Sequence, residues 1–238
     1  MAPQRSLIRS SGSESVAASK KPKIRPVKIR SNKQPQRRPQ ELRRAEMQRR
    51  LLDATIFLLI DRGYSDFRTA DVAAKAKVSR GAMLHHYRTK DALIVAALED
   101  LYHTTTAVSD RRLARAGSKV TLRDVLEDSE AYYYSDEFIA MIDLVMSAGR
   151  NPSLSKKIKR ITYDYRQPLE ERWTRSLSEQ GLPYDAARDA VWLIQAVIRG
   201  LRIRKLVDFD PHQIKRVSDL TLRLLEAFAA ERKHVPGS

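Results

Sequence analysis

From residue 41 to residue 232 the apolar side chains return every three or four positions, the period of a helix with one buried face. No stretch reads as a strand. Met47, Leu51, Ala54 and Leu58 form one line, widened by Leu52, Ile56, Phe57, Leu59 and Ile60, and predict a first helix over 41–62 that Gly63 stops. Two short helices follow. Thr69 is expected to cap the first, whose inner face is Val72, Ala73 and Ala76; Lys77-Val78 makes the turn, and Ser79 caps the second, over 80–86. A fourth helix opens at Thr89-Lys90-Asp91 and runs towards Ala114, with Gly117 as its stop. Thr121 with Asp124 resembles a capping box for a fifth helix to Tyr134, and Ser135 caps a sixth, to Arg150. Asn151-Pro152 starts a seventh to Gln180, with a kink or break expected at Pro168. The eighth spans 185–206 and the ninth 211–232, after Asp210-Pro211. The predicted fold is therefore all-α, about nine helices, in three parts: a tail over 1–40, a three-helix unit over 41–88 and a helical region over 89–233.

The two short helices are the stretch with the most chemistry in it. Small residues at Ala73 and Ala76 let them cross closely at the steep angle of a helix-turn-helix. Arg80, Leu84, His85 and one side of His86 are then left facing outward, a shape that enters a major groove, while Met83 and Tyr87 turn inward. The same pattern also fits two plain helices of an all-α core. Adjacent histidines on a helix point about 100° apart, so His85 and His86 do not chelate one metal ion.

Residues from Arg43 to about Ala97 carry a closer likeness. LLDATIFLLIDRGY followed by TADVAAKAKVSRGAMLHHYRTKDALI resembles the DNA-binding part of the TetR (tetracycline-repressor-like) regulators of bacteria. The likeness rests on a long helix ending in Gly-Tyr, a Thr opening the next, Val-Ser-Arg-Gly at the turn, His-His before an aromatic, and Lys-Asp-x-Leu opening the fourth helix. Two positions depart from it: Lys77 stands where Gly is usual, and Leu84 where a phosphate-contacting Tyr is usual. The resemblance implies a DNA interface of Thr69, Ser79, Arg80, Gly81, Leu84, His85, His86 and Lys90, with Arg43 and Arg44 as further candidates at the start of the first helix. Arg80, Gly81 and His85 would read bases, Leu84 would touch a thymine methyl, and Thr69, His86 and Lys90 would hold phosphates.

Charge agrees with a polyanionic partner. The chain has 45 Lys and Arg against 29 Asp and Glu in 238 residues, and residues 1–40 hold eleven of those cations against one acid, Glu14. Prolines at 22, 26, 35 and 39 and many serines predict a disordered tail, either a solvated leader or a basic arm that adds phosphate contacts. There is no cysteine, and no metal site or cofactor is expected. No apolar run approaches the roughly 18 residues of a membrane span, and no secretory h-region is present, so a cytoplasmic protein is expected. GxSxG, HExxH and a phosphate-binding glycine loop are all missing from the sequence, which argues against an enzyme.

The region beyond 120 offers two further expectations. Aromatic and soft side chains, among them Tyr134, Phe138, Met141, Tyr163, Trp173 and Trp192, are candidates for a pocket that takes a small effector, though such spacing is also that of plain core. Val191, Ile194, Ile198 and Leu201 on the eighth helix, with Ile214, Val217, Leu224 and Phe228 on the ninth, have the spacing of half a four-helix bundle. They are expected to meet a second copy, because a helix-turn-helix protein reads two half-sites about 34 Å apart. The expected function is a sequence-specific DNA-binding regulator: a homodimeric repressor on a palindromic operator, released by a small molecule. The alternative is a non-specific architectural nucleic-acid binder driven by the basic tail.

Overall fold

The computed structural model describes residues 40–207 and 210–233 of the chain, so all of the expected disordered tail but Gln40 lies outside it. Among the described residues the elements are α1 (Gln40–Asp66), α2 (Thr69–Lys75), α3 (Arg80–His86), α4 (Lys90–Ala116), α5 (Leu122–Tyr133), α6 (Asp136–Ser147), α7 (Pro152–Glu179), α8 (Tyr184–Arg204) and α9 (Pro211–Lys233), and none is a strand. Most helix starts are held as their sequences predict. Ser79 accepts from the Ala82 N–H, Thr89 from Ala92, Ser135 from Phe138 and Asn151 from Leu154. Thr121 and Asp124 form the reciprocal capping box.

Three details differ from expectation. Thr69 does not cap α2: Arg68 is the N-cap residue, its carbonyl already accepting from Asp71 and Val72, and Thr69 is the first helical residue. A turn closes over Tyr64 to Phe67, whose N–H reaches the Tyr64 carbonyl at 3.3 Å, and Arg68 is the last extended residue (φ −125°, ψ 132°), so helical geometry begins at Thr69 itself. Gly63 does not end α1 outright; the helix breaks there, at φ 71° and ψ 175°, and a last short turn follows to Asp66. And α7 passes through Pro168 without interruption. Proline removes one N–H, that facing the Asp164 carbonyl, but both residues are exposed and water can take its place.

The core is continuous from the N-terminal helices to α9. Leu51 and Leu58 of α1 and Val72 and Met83 of the helix-turn-helix join Leu93, Ile94 and Tyr102 of α4 in the same buried cluster as Phe138, Leu144, Trp173 and Ile194. α1 packs on α4 and most extensively on α6; α4 lies along α7, and α8 sits between α5, α7 and α9. The three-helix unit over 41–88 thus rests on the helices that follow it.

A few polar groups are buried in that core. Asp128 of α5 accepts from the Ser109 hydroxyl at 3.0 Å and has the Arg112 guanidinium 3.7 Å away. Burial raises its pKa, against the opposing pull of Ser109 and Arg112.

Candidate functional site

The helix-turn-helix is built on small contacts. Val72, Ala73 and Ala76 are buried where α2 meets its neighbours, and Lys77 takes the left-handed turn conformation at φ 55° despite its side chain. Such a residue gives up on the order of 1 kcal/mol relative to Gly. α3 points one residue inward, Met83 at 1% exposure, and leaves Arg80, Gly81, Leu84 and His85 exposed. No carboxylate lies within ion-pair distance of Arg80 among the described residues. A Cβ on Gly81 would meet nothing within 4 Å, so the fold itself has no need of glycine there.

The remaining candidates for this face divide. Arg43, Arg44 and Ser79 are exposed, as are Arg68, Lys75, Lys77 and Arg88, cations of the same unit that sequence reasoning left out. Nothing but placement in the fold marks those four, since solvated cations look alike in sequence. The Thr69 hydroxyl, freed of capping, makes no hydrogen bond to a described residue. His86 is half-buried; burial, followed by Arg44 and His85, lowers its pKa, and its Nδ1 has no hydrogen-bond partner among the described residues. Lys90 turns inward: its Nζ donates to the Tyr64 carbonyl at 3.3 Å and lies 4.2 Å from the Tyr64 ring centroid. Burial lowers its pKa, with Asp91 opposing. A lysine at a helix N-terminus is thus explained by the end of α1 that it closes, with no phosphate required.

Around that same end, α6 reaches across. The Asp143 carboxylate accepts from the Tyr64 N–H at 2.7 Å and from the Ser147 hydroxyl at 3.2 Å. Asn151, at the start of α7, donates to Asp91 of α4 at 3.0 Å. The opposite face of α6, through Phe138, Met141, Ile142 and Val145, lines a cavity of about 430 Å³. One helix therefore touches both the cavity and the break in α1.

This cavity lies between α4 to α8 and also takes in Tyr102, Tyr132, Tyr133, Thr162, Tyr163, Arg166, Glu170, Trp192 and Arg199. Of the expected pocket residues, Phe138, Met141, Tyr163 and Trp192 line it, and two do not. Trp173 is sealed in the core at 1% exposure, and Tyr134 opens onto a different groove, with Glu130 and Ser218. Successive residues on α5 point about 100° apart, so Tyr132 and Tyr133 face α7 while Tyr134 swings towards α9. The unforeseen member is Arg166. It sits among tyrosines, 4.6 Å from the Tyr132 ring centroid, and donates through Nη2 to the Tyr133 hydroxyl at 3.2 Å. Its i,i+4 partner Glu170 is 4.0 Å away. In sequence such a pair is indistinguishable from one on a solvated face.

The expected dimer face needs a correction as well. Val191, Ile194 and Ile198 are each at 0% exposure, spent on the protomer's own α5 and α7, so they have nothing to offer a partner. Leu201, Ile214, Val217 and Phe228 are half-buried, and Leu224 alone of the eight is exposed, at 62%. The apolar stripe left uncovered is the neighbouring one: Trp192, Leu193, Ala196, Gly200 and Ile203 on α8, with Leu220, Leu224 and Ala227 on α9.

Comparison with known proteins agrees with this architecture. The family model of bacterial regulatory proteins, tetR family, matches residues 51–97, from the core of α1 into α4. The chain is 37% identical over 191 residues to the HTH-type transcriptional regulator CymR of Pseudomonas putida, covering 80% of this chain and 94% of that one. Among solved structures, a TetR-family regulator of Mesorhizobium loti superposes with a TM-score of 0.63 at 16% identity, over 78% of this chain and 98% of its own. A regulator of Saccharomonospora viridis in complex with choline superposes at 0.59 with 21% identity, over 77% and 95%. With its helix-turn-helix, its all-helical body and a relative this similar along nearly its whole length, the chain belongs to the TetR family of bacterial regulators and is a DNA-binding regulator of transcription.

Proposed function

We propose that this protein is a cytoplasmic, non-enzymatic homodimeric repressor that reads a palindromic operator with α3 and is released by a small molecule held between α4 and α8. The observation that carries it is α6, one face of which lines the cavity while the other, through Asp143, holds the break in α1. α1 in turn packs on α2 and α4, and Val72 and Met83 of the helix-turn-helix share a buried cluster with Leu93 and Ile94 of α4. A ligand that repositions α6 shifts the α1 break, and with it the spacing of two recognition helices in a dimer. The shift in operator affinity can be no larger than the ligand's preference for one arrangement over the other. Arg80, Gly81 and His85 read bases; Thr69, Ser79, His86, Arg43 and Arg44 contact phosphates; Leu84 packs on a thymine methyl. Two copies meet through the uncovered stripe of α8 and α9.

Selection of bound duplexes from a random DNA pool, with the full chain and with residues 1–40 removed, tests this. A palindromic motif recovered by both forms is expected. Binding without any motif, and lost with the tail, would overturn the proposal in favour of a non-specific binder.

A further inference from the structure

The cavity that the proposed function assigns to an effector has a definite electrostatic character. Its walls are largely apolar and aromatic, yet Arg166 is set into them, with Lys159 and Arg199 nearby and Glu170 as the one carboxylate among the described residues that line it. Burying a guanidinium is costly unless its charge and donors are met. The Tyr132 and Tyr133 faces meet part of the charge, and Glu170 meets part from 4.0 Å, a distance at the limit of an ion pair. The donors are met less well. Nη2 binds the Tyr133 hydroxyl, while Nε and Nη1 make no hydrogen bond to a described residue. A guanidinium has five N–H groups, and the ones left over form the fork that a carboxylate accepts bidentately.

A cationic ligand finds no comparable place. The Tyr132 and Tyr133 faces that could hold an ammonium deep in the cavity are already occupied by Arg166, and among the described lining residues Lys159, Arg166 and Arg199 outnumber Glu170. The choline-bound structural neighbour shares the fold at 21% identity, and the Arg166 site sets this cavity apart from one suited to a cation.

We propose that the cavity binds a small organic carboxylate with an apolar body, its carboxylate forked on Arg166 and its body against Tyr102, Phe138, Met141 and Ile142. This rests on the cavity being the effector site only for its regulatory consequence, and not for the binding itself. Calorimetry and thermal shift on the full chain test it with 3-phenylpropionate and octanoate, their primary amides, and phenethyltrimethylammonium. At least one carboxylate is expected to bind tenfold or more tightly than its amide, with the ammonium weaker still. Arg166→Lys should weaken carboxylate binding about tenfold, since the fork is lost while the charge stays. In Arg166→Met paired with Glu170→Gln, which leaves no orphan charge, the preference for carboxylate over amide should vanish. Circular dichroism confirms that each variant folds.

Failure of both carboxylates to bind, equal or tighter binding of amide or ammonium, or a preference that survives the double variant would each overturn the proposal. Operator binding measured alongside keeps the two proposals apart. Carboxylate binding through Arg166 with no change in operator affinity fails the effector role and leaves the anion site standing. Operator release by the neutral or cationic probes, abolished when Ile142→Trp fills the cavity, does the reverse.

Discussion

Two glycines divide structure from function at the scale of single residues. Gly81 lies in the first turn of α3, exposed, with open space where a Cβ would stand. Gly81→Ala should therefore leave the fold intact, and stabilise it by up to about 1 kcal/mol because alanine gives up less backbone freedom in a helix. If base edges or phosphates approach α3 as closely as proposed, operator affinity should fall at least tenfold in the same variant. Thermal melts and a DNA titration read the two effects separately, and unchanged affinity would remove Gly81 from the interface. Gly63 is the opposite case. Its φ of 71° and ψ of 175° lie in a region that L residues almost never occupy, and a Cβ would sit 3.0 Å from the Asp143 carboxylate oxygen. Gly63→Ala should cost about 1–3 kcal/mol in a denaturant melt. A loss below about 0.5 kcal/mol would show that the α1 break relaxes freely. Much at this scale was legible in the sequence, because caps are local: Ser79, Thr89, Ser135 and Asn151 each reach an N–H three residues on. Lys90 was not, since the carbonyl it closes belongs to another helix.

Helices as elements were predicted almost to their ends, and what they face was not. α5 shows why. Its sequence has a clear apolar face, yet it also carries Asp128 into the core, between Ser109 and Arg112 of α4. Because burial raises the folded-state pKa of Asp128 above that of the unfolded chain, the carboxyl favours the native state most below its unfolded pKa, and that contribution is lost as pH rises through the folded pKa. Asp128→Asn keeps an acceptor for Ser109 and removes the titration. Its melting temperature relative to the wild type should be higher at pH 7 than at pH 4, and a difference that stays flat across that range would show that Asp128 pays no net desolvation cost. α8 makes the same point about faces. It has two apolar lines at helical spacing, one through Val191, Ile194 and Ile198 and one through Leu193, Ala196, Gly200 and Ile203, and periodicity ranks neither. Packing against α5 and α7 chose the first for the core.

On the whole-molecule scale, the stripe left over is the surface proposed to close a four-helix bundle between two copies. Leu224→Glu, at a position 62% exposed in the protomer, should leave the monomer folded. In a symmetric interface it acts twice, so with about 1.5–3 kcal/mol per buried leucine the dimer constant should weaken a hundredfold or more. Sedimentation at micromolar concentration reads this, and an unshifted dimer would place the interface elsewhere. The sequence by itself determined the all-helical class, the helix order, the helix-turn-helix and its outward residues, because each follows from spacing, caps and turn chemistry over a few neighbouring positions. Tertiary structure alone decided which stripe of α8 is core, that α6 joins the cavity to the end of α1, that Trp173 is sealed in while Arg166 lines the cavity wall, and that Lys90 closes α1. Each of these depends on contacts between residues far apart in the chain, and side chains that are alike along a helix become different only when another helix covers them.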